Sequence, residues 1–112
     1  MVPPLPMLRR KADFEALGRR GTVRSSRLLV LRSLRTGGSV TRIGLSTPRT
    51  LGGSVQRNRL RRRLREVVRG RLGTIESGWD LLVVARQDAQ GASQTELQEA
   101  FRSLLERSGI GG

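Results

Sequence analysis

The chain contains no cysteine and no histidine, and among its 112 residues only two phenylalanines, one tryptophan and no tyrosine. Lack of cysteine excludes disulfides and thiolate metal sites. Lack of histidine removes the commonest general base and the commonest transition-metal ligand. Few routes to protein-borne catalysis remain. The shortage of rings disfavours a single-strand stacking platform or a sheet of the RNA-recognition-motif type, since both stack bases on aromatic faces. No apolar stretch approaches the roughly 20 residues needed to cross a bilayer. Residues 1 to 6 are too short and proline-rich for a secretory h-region. A soluble, cytoplasmic protein with no membrane and no small-molecule partner is expected.

Acids are scarce as well, with 9 Asp+Glu against 22 Lys+Arg, a formal net charge of +13 and a pI near 12.0. Such a chain needs a polyanion, or it repels itself. The imbalance is local: residues 1 to 65 carry 17 of the basic side chains and 2 of the acids. One part binds and the remainder supports it. Lys11 is the single lysine, and guanidinium is the cation suited to bidentate phosphate contacts and to stacking on bases.

At this length the chain fits one small domain. Residues 1 to 7, with three prolines, read as a loose arm, residues 8 to 107 as the domain, and residues 108 to 112 as a flexible tail. A short helix is expected over residues 8 to 17, stopped by Gly18 and Gly21. Residues 27 to 34 and 39 to 46 are β-prone and are separated by Thr36-Gly37-Gly38, which has hairpin-turn chemistry, so they read as an antiparallel pair. Val40, Ile43 and Leu45 do not share one parity, which suggests a bulge near Arg42 or Gly44.

Ser54 is placed to cap a long helix running to about Leu72 and ended by Gly73. Leu60, Leu64, Val67 and Val68 recur at helical spacing along it and should face the sheet. Residues 80 to 86 form a continuous apolar run of the kind buried as a central strand. Ser93 to Glu96 matches a capping box ahead of an amphipathic helix carrying Leu97, Phe101, Leu104 and Leu105. The order α-β-β-α-β-α describes one α/β sandwich.

The decisive stretch is Arg57-Asn58-Arg59-Leu60-Arg61-Arg62-Arg63-Leu64-Arg65, with six arginines in nine residues. At 100° per residue, Asn58, Arg62, Arg65 and Arg69 fall within a sector roughly 60° wide opposite the apolar seam, with Arg61 beside it. A solvated charged face would leave like charges repelling at i,i+3 and i,i+4 spacing with nothing gained. A membrane-surface helix would need aromatic anchors and an apolar stripe that the core already uses. A nucleic-acid surface turns the same charges into phosphate contacts and counterion release. Such contacts position a partner without reading its sequence.

Arg42-Ile43-Gly44-Leu45-Ser46, then Leu51-Gly52, then residues 55 to 66 together resemble the signature of the bacterial ribonuclease P protein family, whose hallmark is an Arg-Asn-Arg helix. The resemblance implies an α/β (α+β) two-layer sandwich, with a mixed sheet of about four strands packed with three helices. That fold is like one domain of a small-subunit ribosomal protein and has a left-handed βαβ crossover through the Arg-Asn-Arg helix. It also implies a protein that binds a large catalytic RNA and the 5′ leader of precursor tRNA, while the RNA and its Mg²⁺ ions perform the hydrolysis. On this reading no residue of the chain is catalytic and none holds a metal. Asp13 and Glu15 lie on the first helix and Asp80 opens a buried strand, which favours structural roles.

The residues implied to contact RNA are Arg57, Asn58, Arg59, Arg61, Arg62, Arg65 and Arg69. The family's leader cleft, between the first helix and the sheet, implies further roles for Phe14, Arg27, Arg32, Arg42 and Arg49. Phe14 matches a cleft aromatic, although it also reads as a core anchor. Gly18 and Arg32 stand where other members carry rings, and Pro48-Arg49-Thr50 keeps one of two usual basic positions. The alternative is a ribosome-associated or architectural nucleic-acid-binding protein with no part in a reaction.

Overall fold

The most apolar segment organises the sheet. In the computed structural model, which describes residues 5–110, Trp79–Ala85 forms a strand (β4) that lies inside a four-stranded sheet. It pairs antiparallel with Leu29–Arg35 (β2) and parallel with Arg42–Ser46 (β3). A short edge strand, Thr22–Ser25 (β1), pairs with β2, giving the order β1-β2-β4-β3. The helices are Lys11–Arg20 (α1), Ser54–Arg71 (α2) and Gln94–Arg107 (α3). The result is the expected α+β sandwich with three helices and a mixed four-stranded sheet.

The expected hairpin between the two early strands does not form. The amides of Thr36 and Gly37 donate to the carbonyl of Gly78 at 2.7 and 3.2 Å, and the Thr41 hydroxyl donates to the carbonyl of Glu76 at 2.6 Å. These bonds carry the chain past the end of β4 and lay β3 on its far side. Parallel β3 and β4 need a long crossover, and α2 supplies it. β1 escapes sequence reasoning because Thr-Val-Arg-Ser is short and exposed throughout, as edge strands tend to be. No bulge interrupts β3: its register with β4 runs regularly from Arg42↔Asp80 to Ser46↔Val84.

One sheet face carries the main core. Leu29, Leu31, Ile43, Leu81 and Val83 meet Leu60, Leu64, Val67 and Val68 of α2 and Leu97, Phe101 and Leu104 of α3, the helical positions expected from the 3.6-residue period. Each such side chain contributes about 1.5 to 3 kcal/mol when removed from water. Arg63 locks the two helices together. Its Nε donates to Gln94 Oε1 at 3.2 Å, its Nη2 to the Ala92 carbonyl, and Gln94 Nε2 returns a bond to the Arg63 carbonyl at 2.9 Å. On the other face α1 covers part of the sheet, with Leu17 fully buried.

Helix ends differ from expectation in physical detail. α1 runs through Gly18 and stops at Gly21, whose amide reaches the Leu17 carbonyl. Ser54 is the first helical residue of α2 rather than its cap; Gly53 is the cap and makes no side-chain bond. The arm expected to be loose over residues 1 to 7 is tied down from Leu5 onward. Leu5 is buried, Ile43 donates its amide to the Pro6 carbonyl, and Leu8 donates to the Ile43 carbonyl. Likewise Ile110, placed in a flexible tail, is 1% exposed in the core. The remainder of both expected segments, residues 1–4 and 111–112, lies outside the described residues.

The capping box at α3 is present in both directions: Ser93 Oγ accepts from the Glu96 amide and Glu96 Oε1 accepts from the Ser93 amide. These bonds, with Arg27 nearby, hold the Glu96 carboxyl below its ordinary range. A depressed folded-state pKa stabilises above the unfolded value, and that contribution disappears as pH falls through the folded one. Glu96→Gln is therefore expected to lower the thermal midpoint at neutral pH, with the difference from the parent vanishing in acid; a pH-independent difference contradicts this.

Candidate nucleic-acid interface

A continuous cationic face lies on the outer side of α2 because the inner side is committed to the core. Asn58, Arg61, Arg62 and Arg65 together line an open depression of about 320 Å³. This gathers four of the seven residues expected to meet RNA. Arg61 is oriented by a bond from its Nη2 to the hydroxyl of buried Thr47 at 2.8 Å, which also ties α2 to the end of β3. Arg69 pairs with Glu66 one turn back. Arg57 is half-buried on the flank nearer the sheet, and its Nε, like that of Arg69, is buried without a protein acceptor among the described residues. Arg59 is exposed on the opposite flank, toward α3.

The helix gathers the guanidinium groups of Arg61, Arg62 and Arg65 on one face. Among the described residues Arg57, Arg59, Arg62 and Arg65 have no carboxylate partner within salt-bridge distance. Their charge is available to phosphates.

The second expected surface lies between α1 and the uncovered part of the sheet. Its floor is Gly44. A Cβ there would stand 3.0 Å from both Leu82 Cδ1 and Phe14 Cε1 and 3.3 Å from Leu8 Cδ1. The glycine thus marks the close approach of α1 to β3. Phe14 is 36% exposed, neither a buried anchor nor free of the sheet; the anchor of α1 is Leu17. Arg32 pairs in register with Leu82 and so shares the face of Gly44 and Phe14. Gly44→Val is expected to overpack this junction, costing about 1 to 3 kcal/mol by thermal unfolding; a variant as stable as the parent contradicts the tight approach.

The other weaker candidates separate. Arg42 binds Asp80 through two bonds, Nε to Oδ1 at 3.0 Å and Nη2 to Oδ2 at 2.8 Å, while Nη1 reaches Asp13 of α1 at 3.0 Å. The Asp80 bonds foremost, then those to Asp13, raise the Arg42 pKa against the opposing effect of burial. Arg42 is a strut between α1 and the sheet. Arg27 is drawn toward α3, with ion pairs to Asp88 at 3.4 Å and Glu96 at 3.8 Å. Arg49 is exposed on the 3-10 turn Arg49–Leu51 ahead of α2. Of the three carboxylates considered as Mg²⁺ ligands, Asp13 and Asp80 are both engaged by Arg42, and Glu15 is exposed on α1 apart from that pair. No group of three or more metal-ligating side chains occurs among the described residues.

Sequence reasoning passed over Gly44 as a packing site, Arg63 as a clamp, and Gln56 and Gln90 as neighbours. Only the glycine inside a strand carried a signal, since such glycines mark bulges or close backbone approaches.

The family model Ribonuclease P matches residues 3–109. The chain is 39% identical over 109 residues to the ribonuclease P protein component of Acidothermus cellulolyticus, covering 96% of this chain and 91% of that protein. It is 32% identical over 105 residues to that of Clostridium kluyveri, covering 92% and 94%. The solved structure of the RNase P protein from Thermotoga maritima superposes with a TM-score of 0.81 at 27% identity, over 90% of this chain and 96% of that one. The arginine helix, the sheet order and these likenesses agree, and the chain belongs to the ribonuclease P protein family.

Proposed function

We propose that this chain is the protein component of ribonuclease P and that the outer face of α2 docks it on the catalytic RNA. The chain is a subunit of a ribonucleoprotein endoribonuclease that matures tRNA 5′ ends. The observation that carries the docking surface is the clustering of Asn58, Arg61, Arg62 and Arg65 around one depression, on a helix whose opposite side is core. A helix fixed in this way adds no backbone ordering cost to binding, leaving only that of the side chains.

The surface between α1 and the sheet is the place for the 5′ leader of precursor tRNA. It offers one exposed ring, Phe14, and one guanidinium, Arg32, and both surfaces border β3, one of the two edge strands. Leader binding in this chain therefore leans on arginine more than on stacking. Mg²⁺ belongs with the RNA. Of the three candidate carboxylates Asp13 and Asp80 are bonded to Arg42 and Glu15 stands apart, with no group of three ligating side chains among the described residues, so the chain's residues do not fit a site for that ion. Its contribution is to neutralise phosphate repulsion between catalytic RNA and substrate and to hold both in register. No helix among the described residues is long and apolar enough to cross a membrane, and the cytoplasm is the compartment this function requires.

Purifying the tagged protein from cells with its bound RNA tests the reading. One abundant non-ribosomal RNA that cleaves precursor tRNA is expected. Recovery of ribosomal RNA or bulk DNA would favour an architectural protein.

A further inference from the structure

A second depression lies on the opposite flank of α2 and differs in chemistry from the arginine face. It has a volume of about 230 Å³ and is lined by Gln56, Arg59, Leu60, Arg63 and Gln90. Three segments converge on it: the first turns of α2, the 3-10 turn Gln87–Gly91, and Gly52, where a Cβ would lie 3.8 Å from both Gln56 Cβ and Gln90 Nε2. The 3-10 turn is anchored by fully buried Ala89. Leu60, 3% exposed, gives an apolar floor.

Two features set the ligand class. First, Arg63 is immobilised by Gln94 and the Ala92 carbonyl, which turns its guanidinium into a fixed planar surface. In a chain almost without aromatic residues, such a plane is the available platform for a base. Second, neither Gln56 nor Gln90 makes a side-chain hydrogen bond among the described residues. Each amide offers both donors and an acceptor, the combination that pairs with a base edge and that a phosphate, accepting only, does not need. The volume is below the roughly 300 to 1,000 Å³ of pockets that bury drug-sized ligands. It suits one planar heterocycle, with Arg59 at the rim for the attached phosphate.

We infer that the Gln56–Arg63–Gln90 depression receives a single unpaired nucleobase of RNA. The site rests on the function proposed above and extends it. The arginine face holds phosphates regardless of sequence, whereas this flank reads the edge of one base. α2 is then gripped from both sides, by backbone on one flank and by a base on the other.

The test is Gln56→Leu combined with Gln90→Leu, two exposed positions whose replacement leaves the net charge unchanged. Affinity for the catalytic RNA and, separately, KM for precursor tRNA with the assembled ribonucleoprotein are measured over a range of salt. About a tenfold loss is expected, with the slope of log affinity against log salt unaltered because no phosphate contact is removed. A loss in the first assay places the base in the catalytic RNA, and a loss confined to the second places it in the substrate. Unchanged affinity in both assays, or a loss accompanied by a shallower salt slope, overturns the inference. The unsubstituted protein serves as control: if it fails to bind the catalytic RNA, the proposed function itself fails, independently of this pocket.

Discussion

Replacing Arg62 and Arg65 together by glutamate is expected to weaken binding to the catalytic RNA by about a hundredfold or more at near-physiological salt. Each guanidinium-phosphate bond is charge-assisted and worth about 1.5 to 3 kcal/mol, and reversal adds repulsion to the loss. The salt dependence should change with it, the slope of log affinity against log salt becoming shallower by about one for each contact removed. Folding should not suffer. Arg62 and Arg65 line the open depression rather than the core, and six arginines within nine residues repel one another at helical spacing, so α2 gains from losing two of them. A thermal midpoint unchanged or raised, beside affinity lost and slope reduced, identifies a binding face. Equal loss of stability and affinity contradicts it.

Arg42→Ala is expected to act in the opposite way, through stability. Asp80 is 3% exposed and depends on Arg42 for two of its bonds. Arg42 is itself 36% exposed, so its removal leaves the buried Asp80 carboxylate poorly satisfied beside partly accessible space, at a cost of about 1 to 3 kcal/mol, which for a domain of this size lowers the thermal midpoint by roughly 4 to 12 °C. The bond to Asp13 is lost as well, so α1 loses a tether and the cleft beside Phe14 loosens. Arg42→Met combined with Asp80→Leu removes both charges and fills the space. Such apolar replacements of buried pairs are often neutral or stabilising, so the double variant should recover most of the stability and bind the catalytic RNA as the parent does. Restored stability with binding still lost would show that Arg42 contacts RNA directly.

These three arginines also show what a sequence discloses and what it withholds. The face of α2 was legible because helical periodicity alone separates Leu60, Leu64, Val67 and Val68 from Asn58, Arg62, Arg65 and Arg69. The central strand and the capping box at Ser93 were legible for the same reason, each being a local pattern. Arg42 was not, since its partners lie 29 and 38 residues away and only the sheet order brings them together. That order turned on the segment after β2, where Gly37 and Gly38 carry hairpin chemistry. Bonds to Gly78 and Glu76 use the segment otherwise, and β4, apolar on both flanks, takes β2 on one side and β3 on the other. Gly44 read as a bulge because the parity of its strand looks irregular. The structure resolves the parity without a bulge: Val40 lies outside the strand and is exposed, and the glycine is the space into which Phe14 and Leu8 fit.

In the proposed function the protein positions the substrate and its RNA partner cleaves the bond. The most direct measurement is single-turnover cleavage of precursor tRNA at low and high Mg²⁺, with catalytic RNA alone, protein alone, and both together. The expected result is no cleavage by the protein alone, and a large stimulation of the RNA at low Mg²⁺ that fades as Mg²⁺ rises and takes over phosphate neutralisation. Cleavage by the purified protein alone, or no stimulation of the RNA at any Mg²⁺ concentration, would contradict it.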